Sequence, residues 1–281
     1  MTGRQVPIIA FVGTTPNIGT TAAAFAAACR IAEEGVNSVG YLCLNLKSSK
    51  IHRYIGVDAP EATLDSLRPE LKTGSLYPDK LLRSMHQVRG TSQLRILFGN
   101  TIRDQAEYFT VEEMNHLLDI AQQSFDVVIA DVSAYWDNAA TLCALRRADF
   151  RIVVTTSALS HFQEDAQRWL KQLSPVFGIA NGDYEAVIIH PPWRNGGFQV
   201  KDICKELGIP FIGQLRLSEE LLSQLDSGML DDWLTQGEQG KQVMTEPARH
   251  FIRKHGLQRR VEIRVQPWYK KLLTHRGEVG S

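Results

Sequence analysis

Four cysteines in 281 residues (Cys29, Cys43, Cys143 and Cys204) lie far apart inside apolar patterns, so the sequence offers neither a disulfide frame nor a C-x-x-C metal pair. They read as reduced, buried thiols. No H-E-x-x-H and no G-x-S-x-G occurs, and the eight histidines are scattered, so no local zinc site or nucleophile elbow is encoded. No apolar run reaches the roughly 18 residues of a membrane span, and the apolar stretch in the opening MTGRQVPIIAFVG is too short for a secretory signal. The expected location is cytoplasmic, with the inner face of a membrane as a peripheral alternative. Net charge is also missing: 31 basic residues balance 31 acidic ones, which removes any global reason to expect nucleic acid.

The charge is unevenly spread, however. Residues 246–281 carry nine Lys/Arg and three Asp/Glu, a net of +6, which leaves −6 on the rest. Composition is otherwise that of an ordinary folded chain, 43% hydrophobic and 22% charged, without low-complexity tracts or internal repeats.

Short apolar runs alternate with helical patterns along the first 240 residues. Strands are expected at 7–12, 39–44, 94–98, 126–130, 151–155, 185–190 and 210–215. Helices are expected at 19–34, 64–71, 78–88, 111–124, 138–147, 162–173, 200–207 and 218–225. Runs such as Val127-Val128-Ile129 and Ile152-Val153-Val154 suit strands covered on both faces. The predicted fold is therefore a doubly wound α/β domain over 1–240, with a mostly parallel sheet, helices on both faces, and ligands at the carboxyl ends of the strands. Residues 241–281 read as a basic extension: a short helix capped by Thr245 and ending near Gly256, an alternating strand at 261–265, and a break at Pro267 before Trp268 and Tyr269.

The stretch FVGTTPNIGTTAAAF, residues 11 to 25, lies between the first strand and an alanine-rich helix. Strand, glycine-bearing loop and helix make a phosphate cradle, whose working form reads G-x-x-x-x-G-K-[ST]. Gly13 and Gly19 stand here, but the residue after Gly19 is Thr20, not lysine.

The order of these signals resembles the deviant P-loop ATPases of the ParA/MinD group, and more narrowly the CpaE/TadZ branch that accompanies tight-adherence (Flp) pilus machinery. The resemblance covers roughly residues 7 to 230. It rests on the loop just quoted, on the second strand running into SSKIHRYIGV, on TLDSLR and LRILFGN, and on GIPFIGQLRLSEELLSQLDSG. Its most telling stretch is 125–173, FDVVIADVSAYWDNAATLCALRRADFRIVVTTSALSHFQEDAQRWLKQL. The resemblance implies a P-loop fold and a dimer that forms face to face.

Carried over residue by residue, the resemblance also implies that the chemistry is eroded. Thr20 falls at the P-loop lysine and Thr15 at the signature lysine, so both phosphate-binding cations are missing. Thr14 and Pro16 replace loop glycines, and Pro16 has no N–H to offer. Asn17, Gly19 and Thr21 complete the loop. The aspartates of the family's D-x-D become Asn45 and Lys47; Lys47 reaching the phosphate site as a substitute cation is an alternative. Asp131 keeps the acidic strand end that, with Thr21, would hold Mg²⁺ if a nucleotide bound, and it reads equally well as a carboxylate capping the next loop. Asp137 reads as a helix N-cap. His190 stands where the family often presents an adenine-binding asparagine, or is simply surface. Tyr135 and Trp136 follow the acidic strand end, where family members make dimer contacts; simple packing explains them as well.

The resulting expectation is a pseudo-ATPase: a scaffold or localisation protein, dimeric without nucleotide, serving a pilus or secretion apparatus, with no cofactor and ATP/Mg²⁺ only as a lesser alternative. Two rivals remain. One is an unconventional ATPase in which Lys47 or an arginine from a partner supplies the missing charge, and the other is a DNA- or membrane-surface-binding module working through residues 246–281.

Overall fold

The computed structural model describes residues 6–34, 38–192 and 198–257. The expected segments beyond residue 257, including the 261–265 strand and the Trp268–Tyr269 pair, lie outside the described residues.

Eight strands form one sheet in the order β3-β4-β2-β5-β1-β6-β7-β8. They are β1 (Ile8–Gly13), β2 (Val39–Leu44), β3 (His86–Gln87), β4 (Leu94–Leu97), β5 (Val127–Val132), β6 (Phe150–Thr156), β7 (Tyr184–His190) and β8 (Phe211–Arg216). All neighbours pair in parallel except β3, which runs antiparallel to β4 at the edge. Every residue of β1, β2 and β5 is buried, as continuous apolar runs require when helices cover both faces.

The period-two alternation divides the core. Ile8, Ala10, Val12, Val128 and Ala130 face one side, under α3 (Leu64–Thr73), α4 (Pro78–Ser84), α5 (Val111–Ser124), α6 (Ala139–Arg147) and α7 (Val200–Leu207). Ile9, Phe11, Tyr41, Ile129 and Ile152 face the other. There they meet α1 (Thr20–Glu34), α8 (Glu219–Ser227), α9 (Leu230–Gln236) and α10 (Thr245–His255). The alanines at 22–24 and 26–28 of α1 are all buried, so the helix that follows the loop lies close against the sheet.

Several local expectations change. The helix expected over 78–88 stops at Ser84, because Met85 turns extended and His86 and Gln87 pair with Ile96 and Arg95. Residues 162–173 run mostly as the π-helical stretches Ser160–Asp165 and Arg168–Leu173 rather than as an α-helix. Thr245 does not cap α10: Met244 does, in the left-handed region at φ 60°, while the Thr245 hydroxyl donates back to Lys241 and Gln242 carbonyls. Residues 245–257, set apart in sequence as the start of an extension, pack onto the same sheet as the rest. Ala248 and Phe251 are fully buried, and Phe251 lies 5.1 Å from Phe150 and 6.4 Å from Phe11, ring centre to ring centre.

Candidate functional site

Between β1 and α1 the chain makes a loop held at three hydroxyls. The Thr14 N–H donates to the Val154 carbonyl on β6 (2.9 Å), and its hydroxyl donates to Thr155 (3.2 Å). The Thr15 hydroxyl donates to Asp165 Oδ2 at 2.6 Å. The Thr21 hydroxyl donates to Asp131 Oδ2 at 2.8 Å. Asn17 takes φ 61° and Gly19 φ 100°, the left-handed values that turn a chain tightly into a helix start. Gly13 is required for contact: a Cβ there would stand 2.5 Å from Thr20 Oγ1. The Thr20 side chain is thus folded against the end of β1. Both lysine positions implied by the resemblance therefore hold half-buried threonines, one hydrogen-bonded to Asp165 and the other packed near Gly13.

Asp131, at the end of β5, is fully buried beneath Thr21. Its Oδ2 accepts from Thr21 and from the Tyr41 hydroxyl (2.9 Å), whereas Oδ1 has no partner. It does not cap the following loop. Burial pushes its carboxyl up to about 6, against the pull of the two hydroxyls. Burial and this carboxylate raise its neighbours as well: Cys43 goes up to about 12, and Tyr41 lies well above the usual phenol range.

Lys47 is not brought to the loop. It pairs with Asp137 and Glu107 and lies over the Tyr135 ring, 5.2 Å from its centre; the Asp137 hydrogen bond chiefly raises its ammonium. Asp137 is therefore an ion-pair partner and not a cap. The N-cap of α6 is Asn138, whose Oδ1 accepts from the Thr141 N–H. Trp136 stacks on Trp169 (3.7 Å between ring centres) and Phe177 (5.5 Å), so its ring packs within the chain. His190 Nε2 meets Gln214 Oε1 at 2.9 Å and does not line the cavity beside the loop.

That cavity has a volume of about 250 Å³. The loop lines it through Thr15–Asn17 and Gly19–Ala22, and Asn45, Ser48, Lys50 and Tyr54 line it from the segment after β2. Leu217, Leu222 and Leu225, before and within α8, line it as well. Lys50, at the start of α2 (Ile51–Tyr54), was not singled out in the sequence. It lies 30 positions beyond Thr20 and reaches the cavity only through the turn that follows β2.

A Mg-nucleotide would find half of what it needs. Thr21 and Asp131 supply the hydroxyl and carboxylate of a metal site, but positions 15, 20 and 47 present no cation to phosphate. The residues present do not fit a triphosphate held in the manner of a working P-loop. Among the described residues no group of three or more His, Cys, Asp and Glu could hold a metal, and no helix is long and apolar enough to cross a membrane.

No family model matches the sequence, and no curated protein matches it. Solved structures do match. A ParA family ATPase from Chlorobium tepidum superposes with a TM-score of 0.74 at 17% identity, over 87% of this chain and 99% of that one. MinD in the MinC:MinD cell division complex of Aquifex aeolicus gives 0.69 at 16%, over 88% and 96%. The cell division ATPase MinD of Pyrococcus furiosus gives 0.69 at 12%, over 89% and 99%. At such identities it is the fold that is shared: this chain is built as a ParA/MinD-type P-loop domain.

Proposed function

We propose that this protein is a non-catalytic member of the ParA/MinD type, a scaffold or localisation factor that works through protein contacts instead of ATP turnover. The supporting observation is that neither lysine position offers a charge: Thr15 is hydrogen-bonded to Asp165, and Thr20 is packed on Gly13. Losing two charged contacts to a triphosphate costs several kcal/mol, at roughly 1.5–3 kcal/mol each. Lys47, the candidate substitute, is spent on Asp137 and Glu107. The pattern of the sequence favours the CpaE/TadZ kind and hence a role in Flp pilus or secretion-system assembly. The MinC:MinD complex is the model for its action by protein contact. The dimer would be face to face and independent of nucleotide.

Sedimentation equilibrium of the full chain tests this reading. A dimer of the same strength with and without Mg-ATP is the expected result; a dimer that appears only with Mg-ATP overturns it. The rival reading through the basic segment is weaker in its described part. There Arg249 pairs with Glu34 and Lys254 with Glu185, so those charges are already used.

A further inference from the structure

The amino ends of β6 and β7 and the entry to β8, at the end of the sheet away from the loop, line a second cavity of about 330 Å³. Its walls carry three carboxylates, Asp149, Asp183 and Glu185, and two cations, Arg151 and Lys254. Neither cation answers the two exposed acids. Arg151 donates to the Leu145 and Arg146 carbonyls, and Lys254 pairs with Glu185 at 3.1 Å. Asp149 and Asp183 each accept a backbone N–H, from Ile8 and Ala180, and form no salt bridge among the described residues.

α10 already places basic side chains here. His250 Nε2 and Lys254 Nζ both meet Glu185, which is only 9% exposed, and Lys254 also lies over the Phe150 ring, 4.7 Å from its centre. The described residues stop three positions later, at Leu257. Gly256, at φ 53°, and Leu257, whose N–H donates to the Ile252 carbonyl, turn the chain back along α10 instead of away from the sheet. Next in sequence come Gln258, Arg259 and Arg260. Two or three residues of extended chain span at most about 7–11 Å, and an arginine stem adds its own length, so both guanidinium groups reach a cavity bordered by Lys254. A guanidinium also suits these acids: it is planar, permanently charged, and donates two parallel N–H bonds to one carboxylate.

We propose that Arg259 and Arg260 dock in this cavity on Asp149 and Asp183, strapping the basic segment to the amino end of the sheet of its own chain. The strap continues the contact that α10 makes through Lys254 and Glu185. It engages charge that the rival DNA- or membrane-surface reading would need, and it does not depend on what the loop binds.

Carbodiimide coupling of the full chain tests it. In Arg259→Lys/Arg260→Lys an amine replaces each guanidinium, and the reagent forms an amide between an amine and a carboxylate in contact, with loss of water. At low salt the expected product has the mass of one chain, with position 259 or 260 linked to Asp149 or Asp183. Links from those positions only to other carboxylates, or a product joining two chains, overturn the proposal. Trypsin gives a second readout on the unmodified arginines. Asp149→Asn/Asp183→Asn keeps the oxygens that accept from the backbone and removes only the charges. It should be cut after Arg259 or Arg260 about fivefold faster than the wild type at low salt, and at the same rate at about 0.5 M salt. Equal rates at low salt overturn the proposal. So does a difference that high salt leaves unchanged, which reports loosened turns and not lost charge.

Discussion

Replacing Asp131 by asparagine should stabilise this protein at alkaline pH and not at acid pH. The carboxyl is fully buried, has no cation beside it, and keeps one oxygen unpaired. It ionises at about 6 in the fold against an ordinary 3.8. A folded value raised in this way favours the fold below 3.8, and the advantage is lost as pH rises through 6. At 1.36 kcal/mol per pH unit of displacement, the loss by about pH 8 is roughly 3 kcal/mol. At about pH 4 it is roughly half a kcal/mol. Asparagine escapes this loss and can still accept from Thr21 and Tyr41, but its new amide N–H₂ needs acceptors, which costs about 1–3 kcal/mol at any pH. That fixed cost cancels when the two pH values are compared. Urea unfolding of both proteins should therefore give a stability difference about 2–3 kcal/mol more favourable to Asp131→Asn at pH 8 than at pH 4. The same difference at both pH values would refute a buried, uncompensated carboxyl.

Three further outcomes follow from packing and pairing. Arg30 is 2% exposed; its guanidinium donates to the Lys241 carbonyl (2.7 Å) and to Glu33 (3.0 Å), tying α1 to the segment before α10. Arg30→Met orphans these acceptors and should lower stability by about 2–4 kcal/mol in denaturant melts. Gly40→Ala places a Cβ 2.4 Å from Phe125 Cδ2 and should cost about 1–3 kcal/mol, read as a lower unfolding midpoint with unchanged slope. Lys47→Ala removes a pair whose acidic partners are 52% and 63% exposed, so thermal unfolding should report a loss of no more than about 1 kcal/mol.

The sheet was legible because burial on both faces leaves an unbroken apolar run. Val127-Val128-Ile129 and Ile152-Val153-Val154 suit strands covered on both faces, and they sit in β5 and β6. The loop was legible as well, since Gly13 and Gly19 stand where the backbone demands them. What local pattern did not carry were contacts set by the third dimension. Lys50 borders the cavity because β2 and its following turn return it there, and nothing in SSK distinguishes it from Lys47 three residues earlier. Asp137 was legible as a helix-start residue, but its neighbour Asn138 took the cap and left it free to pair with Lys47. Arg30 looked like one polar residue in an alanine-rich helix; its burial depends on α9 and residue 241, more than 200 positions away. Nothing in the sequence announces the π-helical turns at 160–173.

The most direct measurement is steady-state hydrolysis of Mg-ATP by the purified full chain beside Asp131→Ala. With no cation at positions 15 and 20 and Lys47 held by Asp137, the wild type should show no rate above that variant. A wild-type rate that Asp131→Ala abolishes would contradict the account and return the loop to the working ATPases whose fold it shares.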